Sequence, residues 1–165
     1  MIGRFLALLM GVAGAAAGSQ APGFTLQYMQ NLQGRIDELR PIVEAFDANV
    51  AGYGYTREAA LAECEAATGL LDALCGGYAT TIRRYEALTV HFATLAGAGD
   101  LKRPLVLATS YKREIADSVM EQFKPAVPAS ADGAVYAGGG FGLLWGGLSM
   151  IFGLIGSMFG ARRYA

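Results

Sequence analysis

Two apolar runs bracket a chain whose middle alternates apolar and polar residues with a helical period. The first run covers residues 5–18 and the second covers residues 134–160, where no charged residue occurs. The second is long enough to cross about 30 Å of hydrocarbon at about 1.5 Å per residue. It carries a stripe of small residues at alternating spacings of three and four: Gly139, Gly142, Gly146, Ser149, Gly153, Gly156 and Gly160. In water each such Gly costs about 1 kcal/mol of helix stability against Ala. In lipid the backbone has no other hydrogen-bond partner, so the helix is imposed, and a small-residue stripe lets a second backbone come close. The stripe therefore predicts a glycine-zipper transmembrane helix over residues 133–161.

The first run holds a shorter stripe, Ala7, Gly11, Gly14 and Gly18. Residues 1–21 read in two ways. Arg4, a short apolar core and Ala15-Ala16-Ala17 are what a cleavable signal peptide needs. The stripe favours a retained transmembrane helix. Two stripes in one chain are most simply used on each other, giving an antiparallel pair. Phe141, Trp145, Phe152 and Phe159 would then face lipid, with Tyr136 and Tyr164 at the two interfaces.

Residues 22–132 read as a helical extramembrane domain. Pro22-Gly23 breaks the chain after the first span. Met29, Leu32, Ile36, Leu39, Val43, Phe46 and Val50 then form an apolar seam, predicting a helix over about 24–49 with Pro41 as a kink or split. After a turn at Ala51–Tyr55, Thr56 is a cap candidate, with Glu58 in the first turn. A second seam follows: Leu61, Cys64, Thr68, Leu71, Cys75, Tyr78, Ile82, Tyr85, Leu88, Phe92 and Leu95. Gly69 and Gly76-Gly77 leave open whether this is one helix or two. Pro104 falls in a connector, and Ser110 caps a short helix over 111–123 with Ile115, Val119 and Phe123 on one face. Lys124–Pro128 leads in extended form into the second span. The fold class is all-α: two transmembrane helices flanking a coiled-coil-like helical hairpin whose core includes Leu71, Tyr78, Ile82 and Tyr85.

Charge sets the expected topology. Arg4 precedes the first span, and Arg162 and Arg163 follow the second, in the tail 162–165. The positive-inside rule then places both termini in the cytoplasm of a bacterial inner membrane and the middle in the periplasm. Hydrophobic residues make up 53% of the chain and charged residues 16%, more apolar than an ordinary soluble domain. Residues 22–132 carry all fourteen acidic and ten of the thirteen basic residues. That acidic balance argues against nucleic acid as a partner.

Catalytic chemistry is hard to assemble. His91 is the single histidine, and it reads as a surface or boundary residue beside the second seam. Cys64 and Cys75, eleven apart, would be roughly 16 Å apart on one continuous helix. They read as small core residues, and a disulfide would require the chain to reverse near Gly69. Gly138-Gly139-Gly140 lacks the Lys-Ser/Thr of a phosphate loop. No metal-ligand cluster or nucleophile constellation is visible, and no cofactor is expected.

Four segments carry a resemblance: the apolar N-terminal run ending Ala17-Gly18-Ser19-Gln20-Ala21-Pro22, the stretch Asp37-Glu38-Leu39-Arg40 followed by Phe46-Asp47, the segment Phe123–Pro128, and the Gly-rich second span. In these the chain resembles a bacterial family of small inner-membrane proteins known as domain of unknown function 2937. The resemblance implies a membrane-embedded helical protein and supplies no activity or functional residues.

The expected function is that of a non-enzymatic accessory or scaffold subunit of an inner-membrane complex, its partners being membrane lipids and another integral membrane protein. The alternatives are a homo-oligomeric pore built on the second stripe and, less favoured, an enzyme acting on lipid or envelope substrates.

Overall fold

The computed structural model describes residues 2–125 and 130–160, with side chains through Ser157. Every regular element among the described residues is a helix. These are α1 (Ile2–Ser19), α2 (Ala21–Gly52), α3 (Arg57–Glu65), α4 (Leu70–Gly97), α5 (Arg103–Ser110), α6 (Arg113–Gln122) and α7 (Ala131–Gly160). Two stretches, Ile2–Gly52 near the N-terminus and Ala131–Ser157, are long and apolar enough to cross a membrane. The chain divides into two compact units, one of residues 1–27 with 99–165 and the other of residues 28–98.

The second unit is a helical hairpin. Rings pair Tyr28 with His91 and Phe46 with Tyr78, so numbers rise along α2 as they fall along α4. The α2 seam is the one its spacing predicts: Leu32, Ile36 and Val43 are buried, and Met29, Leu39, Phe46 and Val50 half-buried. Helix α2 runs unbroken through Pro41. Proline removes one helical hydrogen bond, and buried Ile36 and Val43 on either side hold the rod together.

On α4 the seam is real only in its later half. Ile82, Leu88 and Leu95 are buried and Tyr85 is half-buried. Leu71 and Tyr78, expected in the core, are 60% and 43% exposed. The reason is the break between α3 and α4. Gly69 adopts φ +68°, a left-handed conformation that glycine reaches at little cost. The chain reverses there, and Cys64 bonds to Cys75 with their Cα atoms 5.4 Å apart. Both cysteines are therefore disulfide-bonded, which corrects their reading as separate core residues.

Caps and ion pairs complete the hairpin. The Thr56 hydroxyl accepts the Ala59 N–H at 3.2 Å, opening α3 as its sequence suggests. Arg57 then joins three helices. Its Nε donates to Asp47 Oδ1 at 2.8 Å, its Nη2 to Asp47 Oδ2, and its Nη1 to Glu86 Oε1 at 2.9 Å. The hydrogen bond from this guanidinium holds the Asp47 carboxyl below the usual carboxylate range.

In the first unit, α1 stops at Ser19, whose hydroxyl donates to the Ala16 carbonyl at 2.7 Å. Helix α2 begins one residue after Gln20, so Pro22 sits in its first turn, where a missing N–H costs nothing. Pro104 likewise opens a helix, α5, rather than lying in a connector. Ser110 ends α5 instead of capping the next helix, which starts at Arg113. Ile115 and Val119 of α6 are buried and Phe123 half-buried, its ring meeting Phe24 edge-on at 5.6 Å. The Tyr136 hydroxyl donates to the Leu101 carbonyl at 2.6 Å.

Candidate functional site

The feature that stands out is α7, a long apolar helix with two unlike faces. One face is taken by α1. Along α1, Ala7, Gly11 and Gly14 are buried and Gly18 is half-buried, so the whole N-terminal stripe is a packing surface. A Cβ at Gly14 would meet the Gly140 carbonyl, one at Gly18 the Tyr136 carbonyl, and one at Gly140 the Gly14 carbonyl. Each would come closer than the 3.0 Å that real Cβ atoms keep. Backbone here lies against backbone, as small residues allow. Further along, Gly11 faces Phe141 and Trp145, with a Cβ there 2.8 Å from Trp145 Cβ, and Gly3 faces the ring of Phe152 at 3.3 Å. Partner numbers fall from 152 to 136 along α7 as they rise from 3 to 18 along α1.

This arrangement revises the expectation for both the stripe and the aromatics. Phe141, Trp145 and Phe152 do not simply face outward. They pack over glycines of α1, filling with ring area the space that the missing side chains leave. Phe141 and Trp145 also stack on each other at 5.9 Å. The C-terminal stripe does not meet the N-terminal one. Gly139, Gly142, Gly146, Gly153 and Gly156 each have open space where a Cβ would point. At about 100° per residue Gly142, Gly146, Gly153 and Gly156 lie roughly 120–160° around the helix from Gly140, and Gly139 lies to its side. Gly146 and Ser149 are half-buried, and Gly160 falls outside the described side chains. Of the three consecutive glycines once comparable to a phosphate loop, only Gly140 touches α1.

The large side chains explain why α7 turns this way. Phe141, Leu144, Trp145 and Phe152 offer α1 more apolar atoms than a glycine face would, though Leu144, Trp145 and Phe152 stay 38%, 45% and 37% exposed, and dispersion grows with contacting atoms. Two glycine stripes face to face would bring the backbones close but leave these rings without a protein partner. One small-residue stripe set against one bulky face is the better fit.

A model of one protein family matches residues 2–161. The chain belongs to the family described as protein of unknown function (DUF2937). No curated protein and no solved structure matches it. Membership of DUF2937 thus extends over both apolar helices and the hairpin together, and brings no assigned residue.

Elsewhere in the DUF2937 chain, two polar features escaped sequence reading. His91 is buried on α4, and its Nε2 shares a hydrogen bond with the Tyr28 hydroxyl at 3.0 Å. Tyr28 is fully buried although it sits one place before the apolar seam. A buried tyrosine needs a partner for its hydroxyl, and that need, set against a single histidine at matching depth, is the signal that could have paired them. Tyr55 donates to the Glu63 carboxylate, which pushes the phenol above its ordinary range. Among the described residues no group of three or more His, Cys, Asp or Glu side chains converges on one point.

The arginines that set the expected topology at the C-terminus, Arg162 and Arg163, lie outside the described residues, as do Tyr164 and the segment 126–129.

Proposed function

We propose that this protein is a non-enzymatic accessory or scaffold subunit of a bacterial inner-membrane complex, and that it offers the outer face of α7 to a transmembrane helix of its partner. One observation carries the reading: Gly139, Gly142, Gly146, Gly153 and Gly156 form a close-approach surface with nothing in front of it. Small residues on a membrane helix lose packing area and gain only when another backbone comes near. With α1 settled on the opposite face, that second backbone comes from outside the chain. In this reading α1 and α7 form an antiparallel transmembrane pair with both ends cytoplasmic, and the hairpin is periplasmic. The Cys64–Cys75 disulfide supports that location, since disulfides persist in oxidising compartments.

The test is purification from native membranes in mild detergent, followed by cross-linking from single cysteines at positions 142, 146 and 153 in a Cys64→Ala/Cys75→Ala background. A stoichiometric partner cross-linked through these positions is expected. A lone monomer with no adduct sinks the idea.

The same open face favours a second reading. Every copy carries the stripe, so two or more copies can pack through it into a homo-oligomer. Cross-links joining copies of this chain, with no second protein at stoichiometric yield, select that reading.

A further inference from the structure

Two leucines of the first unit are exposed at the level where α1 ends and the uncharged run of α7 begins. Three observations fix that level. Gly18, in the last turn of α1, faces the Tyr136 carbonyl of α7. The Tyr136 hydroxyl donates to the Leu101 carbonyl at 2.6 Å. Arg103 and Pro104, at the start of α5, line a cavity of about 320 Å³ together with Pro22, Ser130 and Asp132, the opening residues of α2 and α7. Helix side chains lean toward their own N-terminus, so the Tyr136 phenol points from the apolar run toward the turn that holds Asp132. Leu101 lies between the two, where apolar sequence gives way to charge.

The side chains around Leu101 suit a layer between hydrocarbon and water. Leu101 is 50% exposed and Leu105 61% exposed. Pro104 and Leu107 are buried and hold α5 to the unit. Leu105 is about 100° around the helix from the first and about 160° from the second, so it points away from the surface they bury. Nearby polar groups are already engaged. The Thr109 and Ser110 hydroxyls donate to the Val106 carbonyl at 3.0 and 2.7 Å, and Arg103 pairs with Asp100 at 2.9 Å. Lys102 is exposed between the two leucines, and its stem can lie along acyl chains while the ammonium reaches lipid phosphate. Four residues at helical rise cover about 6 Å, and the interfacial layer is about 5–8 Å deep on each side of a bilayer. Both leucines fit within it.

We propose that the α4–α5 connector and the start of α5 form an interfacial membrane anchor, with Leu101 and Leu105 inserted at the boundary between headgroups and acyl chains and Lys102 on the headgroups. At this depth the medium around the protein is the bilayer interface, which takes up leucines flanked by a lysine. The proposal rests on the reading of α1 and α7 as a membrane-spanning pair and adds a third point of lipid contact, which fixes the height of the pair in the membrane.

The experiment replaces Leu101 by a dansyl amino acid, and separately Leu105 and Leu9, in the full disulfide-bonded chain. Each protein is reconstituted in vesicles of phosphatidylethanolamine and phosphatidylglycerol. Two quenchers are compared: iodide in the water, and lipid carrying a nitroxide near the headgroup end of an acyl chain. At Leu101 and Leu105 the nitroxide lipid should cut emission at least twofold, while iodide has less than half its effect on the free amino acid. Leu9, exposed near the middle of α1, is the reference for a spanning position. Quenching of Leu101 or Leu105 by iodide and not by lipid overturns the anchor, and if Leu9 stays shielded from iodide the spanning pair still stands. Iodide reaching Leu9 overturns both readings. A photo-cross-linking amino acid at Leu105 in the native membrane tests for a protein in place of lipid: a lipid adduct is expected, and a stoichiometric adduct to a protein sinks the proposal.

Discussion

Three consecutive glycines, Gly138, Gly139 and Gly140, should respond to alanine in opposite ways. Only the third faces α1. A Cβ at Gly140 would press on the Gly14 carbonyl, and neither group can rotate aside, because the obstacle is backbone rather than a flexible side chain. The helices would have to part by roughly 1 Å, loosening a contact in which backbone lies against backbone. Overpacking of this sort costs about 1–3 kcal/mol. Against that, alanine regains up to about 1 kcal/mol of helix propensity. The net expectation for Gly140→Ala is a loss of about 1–2 kcal/mol. Gly139→Ala and Gly142→Ala meet open space and should be neutral or stabilising by up to about 1 kcal/mol in the isolated protein.

For a chain of this length each kcal/mol moves the Tm by about 2–4 °C, so the two classes should separate by several degrees in detergent. Trp145, the only tryptophan, packs over Gly11 and gives a local readout. Its emission should shift toward the red in Gly11→Ala and Gly140→Ala and stay unchanged in Gly139→Ala and Gly142→Ala. If Gly142→Ala disrupts the monomer while Gly140→Ala does not, the assignment of faces is wrong. On the proposed accessory-subunit reading the ranking should invert for partner binding, with Gly142→Ala and Gly146→Ala weakening association.

Three other outcomes follow from the hairpin. The Cys64–Cys75 link closes a loop with a sequence separation of 11. The chain-entropy relation gives it about 3 kcal/mol, so Cys64→Ala/Cys75→Ala should destabilise unit 28–98 by that order in urea unfolding. Removing one partner of the buried Tyr28–His91 hydrogen bond, as in Tyr28→Phe, should cost about 1–3 kcal/mol. Adding His91→Leu should recover part of this, because no polar group is then stranded, and a double-mutant cycle on thermal unfolding measures the difference. Asp47 has its carboxyl pKa lowered by Arg57, so its contribution to stability is present above the unfolded value of about 3.9 and is lost as pH falls below it toward the folded value. Arg57→Gln should flatten that acid limb of a stability–pH profile. The effect should stay below about 1 kcal/mol, because the pair is partly exposed.

Much of the architecture was legible in the residues themselves. Uncharged length marked the two helices able to cross a membrane, and a period of three and four marked the α2 seam through Leu32, Ile36 and Val43. A hydroxyl three residues ahead of a bonded N–H marked the cap at Thr56. These are local properties, set within a turn or two of backbone. Both stripes were equally visible, yet periodicity says only that a face is distinctive, not what it meets. Which face of α7 turns to α1 depends on how much area Phe141, Trp145 and Phe152 bury in the hollows over Gly3 and Gly11, a quantity shared between segments more than a hundred residues apart. The disulfide, the burial of His91 against Tyr28 and the exposure of Leu71 have the same origin. Each follows from where the chain reverses at Gly69 and how the helices then settle, and contacts between distant segments have no signature in local spacing. The sequence alone determined that this chain carries two small-residue faces; the tertiary structure decided that one is packed inside the molecule, while Gly139, Gly142, Gly146, Gly153 and Gly156 of the other meet open space.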